Sequence, residues 1–520
     1  MRRPDASSAF LVLCLVLAGS TLAARGAVAL GTSDVLNWDE TYYASTTSTA
    51  AHGLGLYPYV LGYPPMPLMG GVGYAAEIHV LSYRLLGPHL ISLRVAAFLA
   101  SLAAVAGLVV LTRRLYGTAA GLATLALTPW LAVFQMSNTI RFDVFAIAWV
   151  AWALVLYVVS AESTSVRRHG LVGLVFAIGL QVHLHTAAAA FAVGTAYLVP
   201  AIGRRMPKPL LGYVGGYLLG AVLFIAVNVA PSPQTYFRTA ALARLSAADP
   251  TRDLNLTARM DQSALAKSFV SPAQMVRKEA VRYRSLFRAF RWWELLLWLG
   301  GVPALLWLRP VPAGVDWRVL VAGAVTGGAI VFNSAAVEYF SAILPFFVPA
   351  LASFVTHGFG RAVTVDRREA GWGSCVAMLA LAAAILPGVL APSGPLLSRL
   401  PPPPPPAPPP VVQAVTHAVS TGCVLAGPAD LYAKYFMAFP RFLGTRKAEL
   451  LIGSTYFDLQ GDPVGYWRLK RPDVVIGPVD DDLARYLREA GYAAVAENVW
   501  KSPGPLTPGC VISGLAPSGP

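Results

Sequence analysis

Charge is what this sequence has least of. Asp, Glu, Lys and Arg make up 13% of its 520 residues, against 56% hydrophobic residues. Soluble domains carry about 25% charged residues, so this shortage excludes a chain that folds wholly in water. Cysteine is also scarce, and four residues are too few for the disulfide framework of a small secreted fold. No nucleic-acid reader motif accompanies the net charge of +14. The basic residues fall in short clusters between apolar segments and in one long loop, so nucleic acid is not expected as a partner. The sequence shows no internal repeat, and its polar C-terminal part shows no phosphate loop and no metal-ligand cluster.

What is present is a series of apolar runs. Met1-Arg2-Arg3 precedes a run from about Ser8 to Leu30. It resembles a signal peptide with small residues near Ala24. It exceeds the usual apolar core of about 7–15 residues, which predicts an uncleaved first helix with its N-terminus in the cytoplasm. Further spans are expected at about 91–111, 117–136 and 142–160. The stretch near 170–203 is too long for one crossing of about 20 residues. It is expected to form two helices turning at Gln181-Val182-His183-Leu184-His185-Thr186. Five more spans follow at about 210–230, 292–308, 319–335, 340–358 and 372–391. With this count of eleven, Arg113-Arg114, Arg167-Arg168, Arg204-Arg205, Arg309 and Arg361 all face one side, as the positive-inside rule requires.

Three large pieces are left for the outer side: residues 31–90, residues 231–291 and everything after 392. In the first, Tyr63-Pro64-Pro65-Met66-Pro67 makes a stiff turn, and the aromatic, apolar stretch beyond it suits a short helix in the membrane interface. In the second, apolar Val276, Val281, Leu286, Phe287 and Phe290 alternate with arginines between Met275 and Trp293. That is a basic amphipathic helix, serving as a surface anchor or as a clamp on a lipid phosphate. The run Pro401–Pro410 predicts a polyproline II rod. Beyond it, strands at 423–427, 449–453 and 473–477 alternate with helices at 430–437 and 481–490, which predicts a small α/β domain with a parallel sheet. Asp480-Asp481-Asp482 caps its last helix and Gly491 stops it. Cys14 and Cys375 lie in apolar segments as packing residues. Cys423 and Cys510 lie in the polar C-terminal part, either paired, if it is exported, or as two buried thiols. The expected division is therefore 1–392 for the membrane part, 393–412 for the linker and 413–520 for the extracytoplasmic domain.

The candidate chemistry gathers at the outer rim. Asn37-Trp38-Asp39-Glu40-Thr41-Tyr42-Tyr43-Ala44 sets two carboxylates and three aromatics directly after the first span. Asp143, in Arg141-Phe142-Asp143, lies one or two residues inside the fourth span, a depth at which ionisable groups face a water-filled cavity; a helix-start carboxylate is the plainer alternative. His183 and His185 occupy the outer turn. Spaced i and i+2 they share no helical face, so they suit hydrogen bonds to a sugar or phosphate better than an isolated zinc pair. Glu338-Tyr339-Phe340 falls on the same side.

Asp39-Glu40-Thr41-Tyr42-Tyr43-Ala44, Tyr63-Pro64-Pro65, Leu93-Arg94, Arg113-Arg114-Leu115-Tyr116-Gly117, Arg141-Phe142-Asp143 and, more loosely, Glu338-Tyr339-Phe340 with Leu344-Pro345 together resemble the GT-C membrane glycosyltransferases. These include the protein O-mannosyltransferases and the lipid A aminoarabinose transferases. The resemblance covers residues 1–360. It implies transfer of a sugar, hexosyl or pentosyl, from a polyprenyl-phosphate carrier to a lipid, polysaccharide or protein acceptor. The setting implied is the outer face of a cell membrane, with a bacterial inner membrane expected and the C-terminus outside. It makes Asp39 the catalytic carboxylate. The chain departs from the pattern at Tyr63, where members often carry His or Lys, and at Tyr42, where the lipid A enzymes have Arg.

On this reading Asp39 is the base, and Glu40 and Asp143 orient it. A divalent metal ion is a candidate cofactor, held by Asp39 and Asp143. Arg94, Arg141 and the basic loop are candidates for the phosphate. Trp38, Tyr42, Tyr43, Tyr63, His183, His185, Glu338 and Tyr339 complete the substrate-binding set. The rival expectation is a transporter or lipid flippase, whose ionisable groups belong at mid-depth rather than at the rim; a non-catalytic scaffold for a cell-wall complex is a third.

Overall fold

The computed structural model describes residues 6–31, 39–57, 59–61, 73–131, 134, 140–204, 207–231, 233, 272–307, 315–331, 337–357, 376–381, 383, 408–445, 459 and 462–513. Two compact units divide the chain. The first comprises Met1–Gly31, Ala97–Val227 and Ser271–Pro402; the second comprises Thr32–Ala96, Asn228–Val270 and Pro403–Pro520.

The first unit is helical. Among the described residues five helices are long and apolar enough to cross a membrane: Ser7–Gly31, Leu90–Tyr116, Asp143–Ser160, Thr186–Gly203 and Pro207–Val229. Shorter apolar helices stand at Trp317–Val331 and Leu344–Thr356, and further helices at Thr118–Leu127, Val166–Ile178 and Trp292–Trp307. Most of the eleventh expected span, about 372–391, lies outside the described residues. The segment at 170–203 does split in two: a 3-10 turn at Gly179–Gln181 ends one helix, and the next begins at Thr186.

Small residues set how closely these helices approach. A Cβ at Gly173 would run into the backbone of Tyr213, and one at Gly216 into the backbone of Gly170. Helices Val166–Ile178 and Pro207–Phe224 therefore touch backbone to backbone, the close approach that small residues permit inside a membrane. Gly216→Val is expected to separate this pair and lower the thermal midpoint of the purified protein; an unchanged midpoint would contradict the packing.

In the second unit, a helix at Asp39–Ala51 packs with a helix at Gly73–Leu86 and with the C-terminal residues. The Gly73–Leu86 helix buries Ala76, His79, Val80 and Tyr83 and leaves Tyr74, Ile78, Leu81 and Leu85 exposed. Those four recur at helical spacing, so one apolar face points outward, as a helix lying in the membrane interface requires.

The C-terminal part of this unit carries a five-stranded sheet of β1 (Leu425–Gly427), β2 (Phe442–Gly444), β3 (Val474–Ile476), β4 (Ala493–Ala496) and β5 (Val499–Lys501), in the order β2-β1-β3-β5-β4. β1 pairs in parallel with β2 and β3, while β5 runs antiparallel to both β3 and β4. The sheet is thus mixed, not parallel. The difference comes from a hairpin between β4 and β5, which turns at Asn498 with φ 59. Asparagine tolerates that left-handed conformation better than most residues. β2 stands where no strand was expected, and the expected strand at 449–453 lies outside the described residues. Of the polyproline run only 408–410 is described, and Pro410 already opens a helix, Pro410–Ala418. Asp480 caps helix Asp481–Glu489 by accepting from the Leu483 amide at 2.8 Å, and Gly491, with φ 72, follows its end.

Cys423 and Cys510 are paired, across a sequence separation of 87. By chain entropy alone, closing a loop of that size contributes about 4–5 kcal/mol. Peptide mapping is expected to show both cysteines protected from alkylation until reductant is added, and reduction is expected to expose this domain to protease. Alkylation of both in the unreduced protein would contradict the pairing.

Candidate active site

Asp39 is the first residue of its helix and is half-buried; Glu40 beside it is fully buried. The Glu40 carboxylate meets the Arg94 guanidinium in a two-pronged pair, Nη2 to Oε2 at 2.7 Å and Nε to Oε1 at 3.2 Å. Both side chains are within 2% of complete burial. A planar fork on a carboxylate fixes orientation as well as distance. Arg94 therefore locks the start of the Asp39–Ala51 helix, and the residue preceding the lock is Asp39.

The rest of that helix is an unusual interior element, because its buried residues are mostly hydroxyl-bearing: Thr41, Ser45, Thr46, Thr47, Ser48 and Thr49. Burial of so many hydroxyls is tolerable only if each finds a partner. Thr46 donates to the Tyr42 carbonyl, Thr47 to the Tyr43 carbonyl and Thr49 to the carbonyls of Ser45 and Tyr57. Ser45 accepts from the Val60 amide. Two hydroxyls, Ser48 at 2.7 Å and Tyr83 at 2.8 Å, donate to the carbonyl of Met437 in the C-terminal domain. Tyr432 reaches the Ala44 carbonyl at 3.4 Å. The helix that begins at Asp39 is thus seated on the C-terminal domain. Tyr83→Phe should cost about 0.5–1.5 kcal/mol. Tyr83→Phe with Ser48→Ala should cost more than the two singles summed, because the carbonyl then loses both donors. Additive losses in a double-mutant cycle would contradict the shared acceptor.

In the first unit, Asp143 opens helix Asp143–Ser160 and is 1% exposed. Arg141 donates from Nε to its Oδ2 at 2.7 Å. The turn between helices Val166–Ile178 and Thr186–Arg204 brings in His183 and His185, whose ring centroids are 4.2 Å apart. Their ligand-capable atoms and those of Asp143 all fall within 4.8 Å of one another. Burial, more than charge, holds the His183 ring below its ordinary pKa; Asp143 opposes that shift and Arg141 adds to it. His185 is pushed down further, by burial first and then by His183, Arg282 and Arg141. Both imidazoles are neutral at neutral pH.

Arg282 comes from the basic helix, Pro272–Ala289, and is 2% exposed. It donates to both oxygens of Glu279 at 2.6 and 2.7 Å. Lys278, 7% exposed, donates to the Ala329 carbonyl at 2.7 Å. The helix is amphipathic as its sequence implies: Arg277, Arg284 and Arg288 are exposed, as are Val276 and Phe287. Its inner face is not purely apolar, however, because Lys278 and Arg282 are turned inward with Leu286 and Phe290.

The expected site residues thus fall in two groups. Asp39, Glu40, Tyr42, Tyr43 and Arg94 share the second unit; Arg141, Asp143, His183 and His185 share the first. Asp39 and Asp143, expected to share a metal ion, belong to different units. Trp38 and Tyr63 lie outside the described residues. Glu338 and Tyr339 stand on a 3-10 turn, Val337–Ala342, with side chains outside the description. Among the neighbours not foreseen individually, Glu279 was detectable only as the carboxylate one turn from Arg282.

Apolar helices, a carboxylate-headed helix and a sheet-bearing C-terminal part make up the fold of a GT-C class membrane glycosyltransferase, the class the sequence resembles. Residues 75–229 match the family model of dolichyl-phosphate-mannose-protein mannosyltransferases. The fold is similar to the crystal structure of ArnT from Cupriavidus metallidurans bound to undecaprenyl phosphate. The TM-score is 0.59 at 14% identity, covering 97% of this chain and 99% of that one. The same ArnT in its apo state gives 0.42 at 14% identity, covering 98% of each chain. An oligosaccharyltransferase from Archaeoglobus fulgidus, tethered to an acceptor peptide, gives 0.39 at 12% identity, covering 90% of this chain and 69% of that one. No curated protein sequence matches the chain.

Proposed function

We propose that the chain moves a sugar from a polyprenyl-phosphate-linked donor to a hydroxyl-bearing acceptor at the outer membrane face. The observation that carries this reading is its fold, similar over nearly its whole length to that of ArnT crystallised with undecaprenyl phosphate. The membrane part would hold the donor through its buried cations, and the C-terminal domain would lie outside the membrane. The Cys423–Cys510 bond supports that side, because disulfides persist in oxidising compartments.

In the reaction, a carboxylate oxygen of Asp39 takes the acceptor proton as the acceptor oxygen attacks the anomeric carbon. The bond from that carbon to the phosphate oxygen breaks, its electron pair leaves with the polyprenyl phosphate, and the anomeric centre is inverted. The leaving phosphate needs positive charge and N–H donors placed in advance. The buried cations Arg141, Arg282 and Lys278 would offer them. Glu40 acts through Arg94 by fixing the helix that presents Asp39. Tyr42 and Tyr43, half-buried on the same helix, would stack on the sugar.

Incubating the purified chain with a radiolabelled polyprenyl-phosphate sugar and a membrane extract as acceptor source tests this reading. Release of polyprenyl phosphate with label passing to an acceptor is the expected result. Movement of the intact donor across liposomes with no bond cleavage would overturn it in favour of a flippase.

A further inference from the structure

Asp143, His183 and His185 converge in a way their spacing in the sequence does not foretell. On a helix, residues at i and i+2 point apart. Here the chain leaves the helix after the Gly179–Gln181 turn, and both the amide and the hydroxyl of Thr186 bond to the His183 carbonyl, at 3.0 and 2.8 Å. That tight turn brings the two rings to one side, inclined at 43°. The carboxylate that meets them is anchored on one oxygen only. Oδ2 takes the Arg141 bond, while Oδ1 is buried and has no hydrogen-bond partner among the described residues. Leaving a buried acceptor unsatisfied costs about 1–3 kcal/mol, and more for a charged one.

We propose that Asp143, His183 and His185 form a binding site for a first-row transition metal of the zinc class, with its remaining coordination positions open. Two imidazoles and one carboxylate suit zinc, cobalt or iron, whereas magnesium and calcium prefer an all-oxygen shell. Three protein ligands with a free position distinguish a site that meets a substrate from a closed structural one. Arg141 orients the carboxylate from behind, the usual task of a residue one shell out from a metal. Arg141 is closed on Asp143 and Arg282 on Glu279, so the nearby guanidinium charges are each matched by a carboxylate. Lys278 adds a further cation beside Glu279, at 3.5 Å. The contact that must change is the 3.2 Å bond His183 Nδ1 accepts from the His185 amide. An ion at Nδ1 replaces that long bond, and an ion at Nε2 moves the ring proton to Nδ1.

The site stands on its own geometry and does not depend on glycosyl transfer, so its test reads metal. The full chain, purified in detergent and stripped with chelator, is titrated with Co²⁺ and then with competing Zn²⁺. One equivalent of Co²⁺ with visible absorption, displaced by zinc, is the expected result. His183→Ala, His185→Ala and Asp143→Ala should each abolish it, and Arg141→Met should weaken it by about 10–100-fold. X-ray absorption of the cobalt-loaded wild-type chain should show imidazole ligation, a reading that survives if a variant fails to fold. No stoichiometric uptake by the wild-type chain, or uptake unchanged in His183→Ala with His185→Ala, would overturn the proposal.

Discussion

Replacing Asp39 by asparagine lowers kcat for sugar transfer by about 10²–10⁴-fold, the range general-base catalysis supplies, and leaves KM and protein yield nearly unchanged. The substitution keeps the shape of the side chain and removes only its negative charge and basicity. Asp39 is half-buried at the start of its helix, so the lost charge at the helix N-terminus costs stability of about 0.3–1 kcal/mol. The neighbouring lock of Glu40 on Arg94 is untouched. A variant that folds normally and retains kcat within twofold would remove Asp39 from the chemistry.

The second large effect is on folding. Arg94→Met leaves the Glu40 carboxylate buried with its two-pronged partner gone. Breaking a buried pair from one side costs about 3–5 kcal/mol, since the surviving charge loses its two-pronged partner. The expected outcome is a large fall in thermal midpoint and in recoverable protein. Glu40→Leu combined with Arg94→Met should regain part of that loss, because no charge is then stranded. Equal melting of the wild type and the single Arg94 variant would mean that the pair does not hold the helix.

These two effects separate what the sequence reveals from what it hides. Apolar runs locate the helices because lipid demands an uninterrupted hydrophobic stretch, and the break at 170–203 is visible from length alone. The span expected at about 117–136 is less regular than its hydropathy suggests. Its described helix, Thr118–Leu127, passes into a 3-10 turn at Thr128–Trp130 around Pro129. The helix at Asp39–Ala51 was hidden, since Thr-Tyr-Tyr-Ala-Ser-Thr-Thr-Ser-Thr reads as a polar loop. Its hydroxyls bond back one turn and across to Met437, a partner hundreds of positions away that no local pattern can announce. The mixed sheet was misjudged for a similar reason: strand direction follows from the Asn498 turn, not from the alternation of strand and helix. The His183–Asp143 meeting depends on a tight turn and on helix packing, whereas the i and i+2 spacing alone argues against it.

The proposal rests on Asp39 meeting the anomeric carbon of a lipid-linked sugar. A cryo-electron microscopy map of the Asp39→Asn protein with a polyprenyl-phosphate sugar bound tests this most directly. The account predicts donor density with its anomeric carbon facing residue 39. Donor density remote from residue 39, or a residue 39 open to bulk solvent with the donor in place, would contradict it.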